Sequence, residues 1–397
     1  MRPDHLQRGW RRCEIDYIDP RMKPGPYRFA SYCSSPSWGG LEMNVLHFLR
    51  WMRTRGWEAV FYGNPATRIY RQAFDSGMIV RSVISCRHFG DFINAWRLAR
   101  LVRQDNVRGL IVHRSSDLFL GAMARRFSKE KTRLIFCQHM HIGKDKKDPY
   151  HAWLYRQIDA FVTPVTWLAE RVLEKTSVLP EHLHIIPHGI EIERFTVGKP
   201  SREAARHRFG LPSDAWVAGL IGRLDPKKGQ DIAIRAIAAL HQSGHHPHLL
   251  LVGDQSFDQG DEYVQGIHRL VDALHLRDYV HFSPHQTDVE WAYAALDVFV
   301  LASKSECYGM VTIEALVSGL PVIGTNDGGT ISLIDHGRNG LLVEPRNVDA
   351  LAAALTVLLE NRDQVIQMGA STQREAALKY SHTSQCASWE RLFEDLN

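Results

Sequence analysis

Two glutamates, Glu306 and Glu314, stand eight positions apart in the run Ser303-Lys-Ser-Glu-Cys-Tyr-Gly-Met-Val-Thr-Ile-Glu-Ala-Leu316, with Gly309 between them. A helix that opens at Gly309 presents unpaired N–H groups and the positive end of its dipole, which suits phosphate. Carboxylates accept hydrogen bonds from hydroxyls, which suits sugars. This one stretch therefore holds parts for a phosphorylated sugar. A second group stands upstream in Gly222-Arg-Leu-Asp-Pro-Lys-Lys-Gly229. Arg223 can grip phosphate through two parallel hydrogen bonds, and Lys228 supplies a point charge. Lys227 reads as the solvent-facing lysine. Each feature also has a plainer reading, since glutamates favour a helix start and basic loops are often solvated. Their combination favours a ligand.

Other candidates are weaker. Gly39 and Gly40, in Ser37-Trp-Gly-Gly-Leu-Glu42, allow backbone to approach a ligand closely. They do not form G-x-G-x-x-G, so no nicotinamide cofactor is indicated. His139 follows an expected strand, as does His113 with Arg114, Ser115 and Asp117. His241, His245, His246 and His248 surround a loop with Gly244 and Pro247 and read as solvated. Asp254, Asp258, Asp261 and Glu262 read as a solvent-facing acidic loop. No H-E-x-x-H, cysteine cluster or compact D-x-D occurs, and no metal is expected.

Short apolar runs alternate with helical patterns, which predicts an α/β protein with parallel sheets. Strands are expected at 27–33, 59–62, 109–113, 133–137, 160–163 and 184–186, with helices at 42–55, 92–104, 118–127 and 165–175. The segment Pro187-His-Gly-Ile-Glu-Ile-Glu-Arg-Phe195 reads as a hinge. A second series follows, with strands at 216–222, 248–253, 280–283, 298–302, 321–325 and 340–343. The expectation is two tandem Rossmann-like, doubly wound domains facing across a cleft: 1–187, 188–382, and a last helix (383–397) packing back on the first. Ligands bind beyond the carboxyl ends of parallel strands. The 222–229 loop, the glutamate stretch and Thr325-Asn-Asp-Gly-Gly-Thr330 all fall at such ends.

At 397 residues, with 44% hydrophobic and 23% charged, two soluble domains are the default. No run of 18 apolar residues and no apolar leader is present, so neither a transmembrane helix nor a secretory signal is expected. Six scattered cysteines suit a reducing, cytoplasmic setting. Residues 1–190 hold 30 Lys and Arg against 17 Asp and Glu, while 191–397 hold 18 against 27. The basic first half is expected at an anionic membrane surface, through helices such as 92–104 with Arg97, Arg100 and Arg103 near Trp96. No nucleic-acid-binding module is visible.

Taken together, these motifs resemble a GT-B glycosyltransferase of family 4, a group of retaining, nucleotide-sugar-dependent transferases. The Gly-Gly loop with Glu42, the 187–195 hinge, the Arg223/Lys228 loop, the E-x7-E pair and Asp335-His-Gly-Arg-Asn-Gly-Leu-Leu-Val-Glu-Pro345 carry the resemblance. It implies that Gly222, Arg223 and Lys228 hold the diphosphate, with backbone from Gly309, Met310 and Val311. It implies that Glu314 binds ribose, Glu306 the donor sugar and His139 the transferred sugar. Ser283 and His285 flank the base, and Gly39 and Gly40 lie near the phosphates or acceptor. The implied catalytic set is His139, Glu306, Arg223 and Lys228, with no cofactor and no divalent metal. The implied donor is a UDP- or GDP-sugar. The implied acceptor is lipid-linked or polysaccharide, as in lipopolysaccharide assembly, on the inner face of the membrane. An epimerase of the same fold, or a non-catalytic carbohydrate-binding relative, is the alternative. Three residues depart from the family pattern: His188 and Glu191 in the hinge, where Asn and Asp are usual, and Ser332, where a glutamate is usual.

Overall fold

The computed structural model describes residues 28–84, 90–128, 132–255 and 261–396. Residues 1–27, Cys86 and Asp258 lie outside them. By contact the chain divides into two compact units, Met1–Ile135 and Phe136–Asn397.

The first unit contains β1 (Arg28–Tyr32), α1 (Gly40–Thr54), β2 (Ala59–Gly63), α2 (Arg68–Asp75), β3 (Ile79–Ser82), α3 (Phe92–Gln104), β4 (Val107–Val112) and α4 (Leu118–Ser128). The order β3-β2-β1-β4 is parallel throughout. Order reverses between β1 and β4, so the loops after these strands define a switch point. Asp117 ties the two loops together, accepting from Ser34 N (3.0 Å) and Ser34 Oγ (2.5 Å). Burial pushes the Asp117 pKa up despite these bonds. Strand β5 (Arg133–Cys137) spans the unit boundary.

The second unit continues with α5 (Pro149–Tyr155), β6 (Ala160–Thr163), α6 (Thr166–Lys175), β7 (Leu183–Ile185), α7 (Ile192–Phe195) and α8 (Arg202–Arg208). Then come β8 (Val217–Ile221), α9 (Gln230–Gln242), β9 (His248–Val252), α10 (Glu262–Ala273), β10 (Val280–Ser283) and α11 (Glu290–Ala295). The chain finishes with β11 (Val298–Leu301), α12 (Met310–Val317), β12 (Val322–Thr325), β13 (Gly340–Val343), α13 (Val348–Glu360), α14 (Arg362–Lys379) and α15 (His382–Asp395). Six of these strands form a parallel sheet in the order β10-β9-β8-β11-β12-β13.

Side chains alternate across that sheet, as a pleat requires. Val217, Ile221, Leu250, Val252, Phe299 and Leu301 face one core, which Ile313 and Leu316 of α12 complete. Ala218, Leu220, Leu249, Leu251, Val298 and Val300 face the other, under Ile234 and Ile237 of α9 and Leu355 and Leu358 of α13. Both faces are covered, so these strands read as continuous apolar runs. Burying one such Leu or Ile is worth about 1.5–3 kcal/mol, which makes this sheet a firm base for its loops.

The four clustered histidines correct the sequence reading in part. His248 is buried within β9, its Nδ1 2.9 Å from His281 Nε2, and His241 packs on the Tyr279 ring. The described cysteines, Cys33, Cys137, Cys307 and Cys386, form no disulfide.

Candidate functional site

Strand order in the second unit reverses between β8 and β11. The two loops singled out in the sequence leave the carboxyl ends of these neighbouring strands, where an open α/β sheet binds its ligands.

Glycine permits the fit of the β8 loop. Gly229 has φ 75° and caps α9, and a Cβ on it would lie 2.4 Å from Ala302 O at the end of β11. Lys304 N donates to Lys227 O (3.0 Å), joining the loops again. Lys228 Nζ then reaches Glu306 Oε2 at 2.6 Å, and both side chains are largely withdrawn from water. Lys227 and Arg223 are exposed. The Arg223 backbone is nonetheless fixed, because its carbonyl accepts from Gln230 Nε2 (2.8 Å).

The Glu306 loop is held from below. Ser305 adopts φ 57°, a left-handed conformation that costs a non-glycine residue about 1–2 kcal/mol. Asp327 offsets that cost, as its Oδ2 accepts from Ser305 N (3.0 Å) and Oγ (2.9 Å). Gly329 N donates to Glu306 O (2.7 Å). A Cβ on Gly328 would lie 2.4 Å from that same oxygen. The Gly328-Gly329 pair therefore supports Glu306. Ser332, where the family pattern has glutamate, accepts from Trp167 N at the start of α6 (3.2 Å).

Gly309, at φ 81°, opens α12, and no side chain caps that helix. Met310 and Val311 thus begin a helix whose amides face the loop bearing the Lys228–Glu306 pair, an arrangement that receives anions. Two buried hydroxyls on the same loop and helix, Ser303 Oγ and Thr312 Oγ1, have no hydrogen-bond partner. Glu314 lies one turn into α12. The Tyr293 hydroxyl donates to Glu314 Oε2 (2.7 Å), while burial pushes the carboxyl pKa up to about 7.

Ser283 ends β10 and His285 follows it. Gly253 N donates to Ser283 O (2.9 Å), and His285 N donates to Asp254 Oδ1 (3.0 Å). Gly253 also packs against the β8 loop, where a Cβ on it would lie 2.0 Å from Gly222 O. The expected base loop and the Arg223 loop are therefore neighbours. His139 stacks on His188, with ring centroids 5.0 Å apart and planes 10° apart. Gly39 and Gly40 belong to the first unit, at the start of α1. Gly39 has extended backbone (φ −171°), and space beside Gly40 is open, so neither glycine is demanded by the chain itself.

Tyr293, Asp327 and Tyr308 were missed from the sequence. Gly328-Gly329 marked Asp327 only by adjacency. The tyrosines carried no local signal.

Two family models match the chain, "Glycosyltransferase Family 4" over residues 38–194 and "Glycosyl transferases group 1" over 201–375. The D-inositol 3-phosphate glycosyltransferase of Stackebrandtia nassauensis is 32% identical over 233 residues, 57% of this chain and 52% of that protein. Mannosylfructose-phosphate synthase of Agrobacterium fabrum is 31% identical over 207 residues, 51% of this chain and 45% of that protein. The chain thus spans about half the length of the curated relatives it matches. Among solved structures, the Rickettsia africae glycosyltransferase has a TM-score of 0.84 at 16% identity, covering 93% of this chain and 98% of that one. Anabaena HepE in complex with UDP has a TM-score of 0.79 at 20% identity, covering 93% and 100%. With two parallel sheets of this topology and both family models matched in order, the chain belongs to the family 4 glycosyltransferases of GT-B fold.

Proposed function

We propose that the protein is a retaining glycosyltransferase that moves a sugar from a UDP- or GDP-sugar to a lipid-linked or glycan acceptor without a metal. Residues up to 187 serve the acceptor and 188–382 the donor. The observation that carries this reading is the uncapped start of α12 at Gly309, set beside Lys228 and Glu306 at the switch point of the second sheet. Arg223, Lys228 and the α12 amides receive the diphosphate, Glu314 the ribose, and Glu306 and His139 the transferred sugar. In the reaction the acceptor oxygen bonds to the anomeric carbon on the face the phosphate leaves. The acceptor proton passes to the departing phosphate oxygen. The two cations and the helix terminus stabilise the charge that builds on the diphosphate.

The HepE structures hold UDP and, in another crystal, UDP-glucose, which favours a uridine donor. The names of several relatives specify inositol 3-phosphate, which favours an anionic acceptor and matches the basic first half. No described helix is long and apolar enough to cross a membrane. Helix α3 exposes Phe92, Ile93 and Trp96 beside Arg97, Arg100 and Arg103, which supports peripheral attachment to an anionic bilayer.

Calorimetric titration with UDP, GDP and ADP, followed by transfer assays with the matching sugars, tests the reading. Binding of one nucleoside diphosphate that is weakened about 10- to 100-fold in Lys228→Ala is the expected result. No binding of any nucleotide would overturn it.

A further inference from the structure

We propose that His188 is a positioning residue for His139, a fixed aromatic platform against which the His139 ring lies flat. The inference rests on the donor-site reading above, because His139 matters only if a sugar reaches it.

Three observations fix the platform. First, the backbone around His188 is clamped. Gly189 N donates to Gln385 Oε1 (2.9 Å), and Ile190 and His382 exchange bonds with Tyr380 O and Ile190 O (2.9 and 3.0 Å). A Cβ on Gly189 would lie 2.6 Å from His382 Cα, so the chain passes here with no slack. Second, Tyr308, two residues beyond Glu306, grips His188 twice. Its hydroxyl donates to His188 O (3.1 Å), and its ring meets the imidazole edge-on at 5.1 Å and 88°. Third, the His188 ring carries His139 in a stack, with centroids 5.0 Å apart and planes 10° apart. His188 is 6% exposed and Tyr308 is 6% exposed, whereas His139 is only partly buried.

The rings thus form a ladder from the Glu306 loop, through the hinge, to the accessible His139. A histidine on a loop rotates about two side-chain bonds, and reacting groups misplaced by 1 Å lose about a hundredfold in rate. A flat stack on a clamped ring restricts that rotation. Burial also holds His188 neutral, its pKa pushed down to about 4, so the platform carries no charge to repel His139 at ordinary pH. Asparagine, usual at this place in the family pattern, offers no such face.

The test uses the full chain with UDP and the nucleotide sugar it turns over, in wild type, His188→Asn and His188→Ala. The expected result for His188→Asn is a UDP affinity and binding stoichiometry within about twofold of wild type, with kcat reduced about 10- to 100-fold. The donor KM should change little, since the contacts of His188 are with Tyr308 and His139, not with the proposed diphosphate ligands Arg223 and Lys228. Independently of activity, the carbon-bound ring protons of His139, followed by NMR, should lose their stacking displacement in both variants. Unchanged His139 resonances, or a kcat within twofold of wild type, would overturn the platform. A kcat loss matched by equal loss of UDP-binding sites would reduce His188 to a folding role and overturn it as well. If wild type binds no nucleotide while the NMR displacement is present, the donor reading fails and the stack survives.

Discussion

Glu314 is the residue whose chemistry and stability can be set against each other most directly. Its carboxyl lies under the Tyr293 hydroxyl, and burial raises its pKa from 4.5 to about 7. A folded pKa above the unfolded one means that the folded state holds the proton more tightly. The resulting stabilisation is complete below about pH 4.5 and is lost as pH rises through about 7. At about 1.4 kcal/mol per unit, the raised pKa costs the fold, relative to an uncharged side chain, about 3 kcal/mol at pH 8 and about 1.4 kcal/mol at pH 5.5. Glu314→Gln removes this cost and leaves an oxygen to accept from Tyr293. The variant should therefore melt about 6–12 °C higher than wild type at pH 8, taking 2–4 °C per kcal/mol for a unit of this size. The gain should shrink to roughly two fifths at pH 5.5. Differencing the two proteins cancels the titrating groups that do not interact with Glu314. The same variant should bind the nucleoside diphosphate more weakly, since Gln offers ribose a weaker acceptor. A thermal gain equal at both pH values, or a loss at pH 8, would refute the reasoning.

Three further outcomes follow. Lys228→Ala should weaken nucleoside diphosphate binding about 10- to 100-fold by calorimetry, the worth of one charge-assisted hydrogen bond. Gly309→Ala should lower stability by about 1–2 kcal/mol in denaturant melts, because φ is +81° and a Cβ would meet Thr312 Oγ1 at 3.2 Å. His188 and His248 both have pKa values depressed to about 4, chiefly by burial. Their contribution to stability is present above pH 6.5 and lost as pH falls towards 4, so replacing His248 with Asn should flatten the fall in unfolding free energy between pH 7 and pH 5.

The loops of the candidate site were legible because their signals are local. Gly222, Gly229 and Gly309 all adopt positive φ, and each stands where a strand turns into a helix. The buried strands β8, β9 and β11 announced themselves as apolar runs. Helix α14 did not. Its buried positions include Val365, Met368, Thr372 and Ala376, while Ile366 and Leu378 face water, so its hydrophobic period is blurred. Strand β3 is a four-residue edge with Ile79 exposed. The supports of the site escaped for a different reason. Tyr293 reaches Glu314 across 21 positions, Asp327 reaches Ser305 across 22, and Tyr308 meets His188 across 120. Such pairings depend on tertiary packing, which leaves no mark on neighbouring residues.

The 2.6 Å contact between Lys228 and Glu306 has a consequence for turnover. With the donor absent, each charge is the other's counter-ion. On the proposed reading, an arriving nucleotide sugar exchanges partners with both at once: the diphosphate takes the lysine and the sugar hydroxyls take the glutamate. A nucleoside diphosphate alone satisfies only the lysine and leaves Glu306 without a counter-charge. On that reading the pair would act as a coincidence detector that favours the intact donor over its spent half. After transfer, re-forming the contact would favour release of the product, and the resting ion pair would then help clear the site for the next cycle.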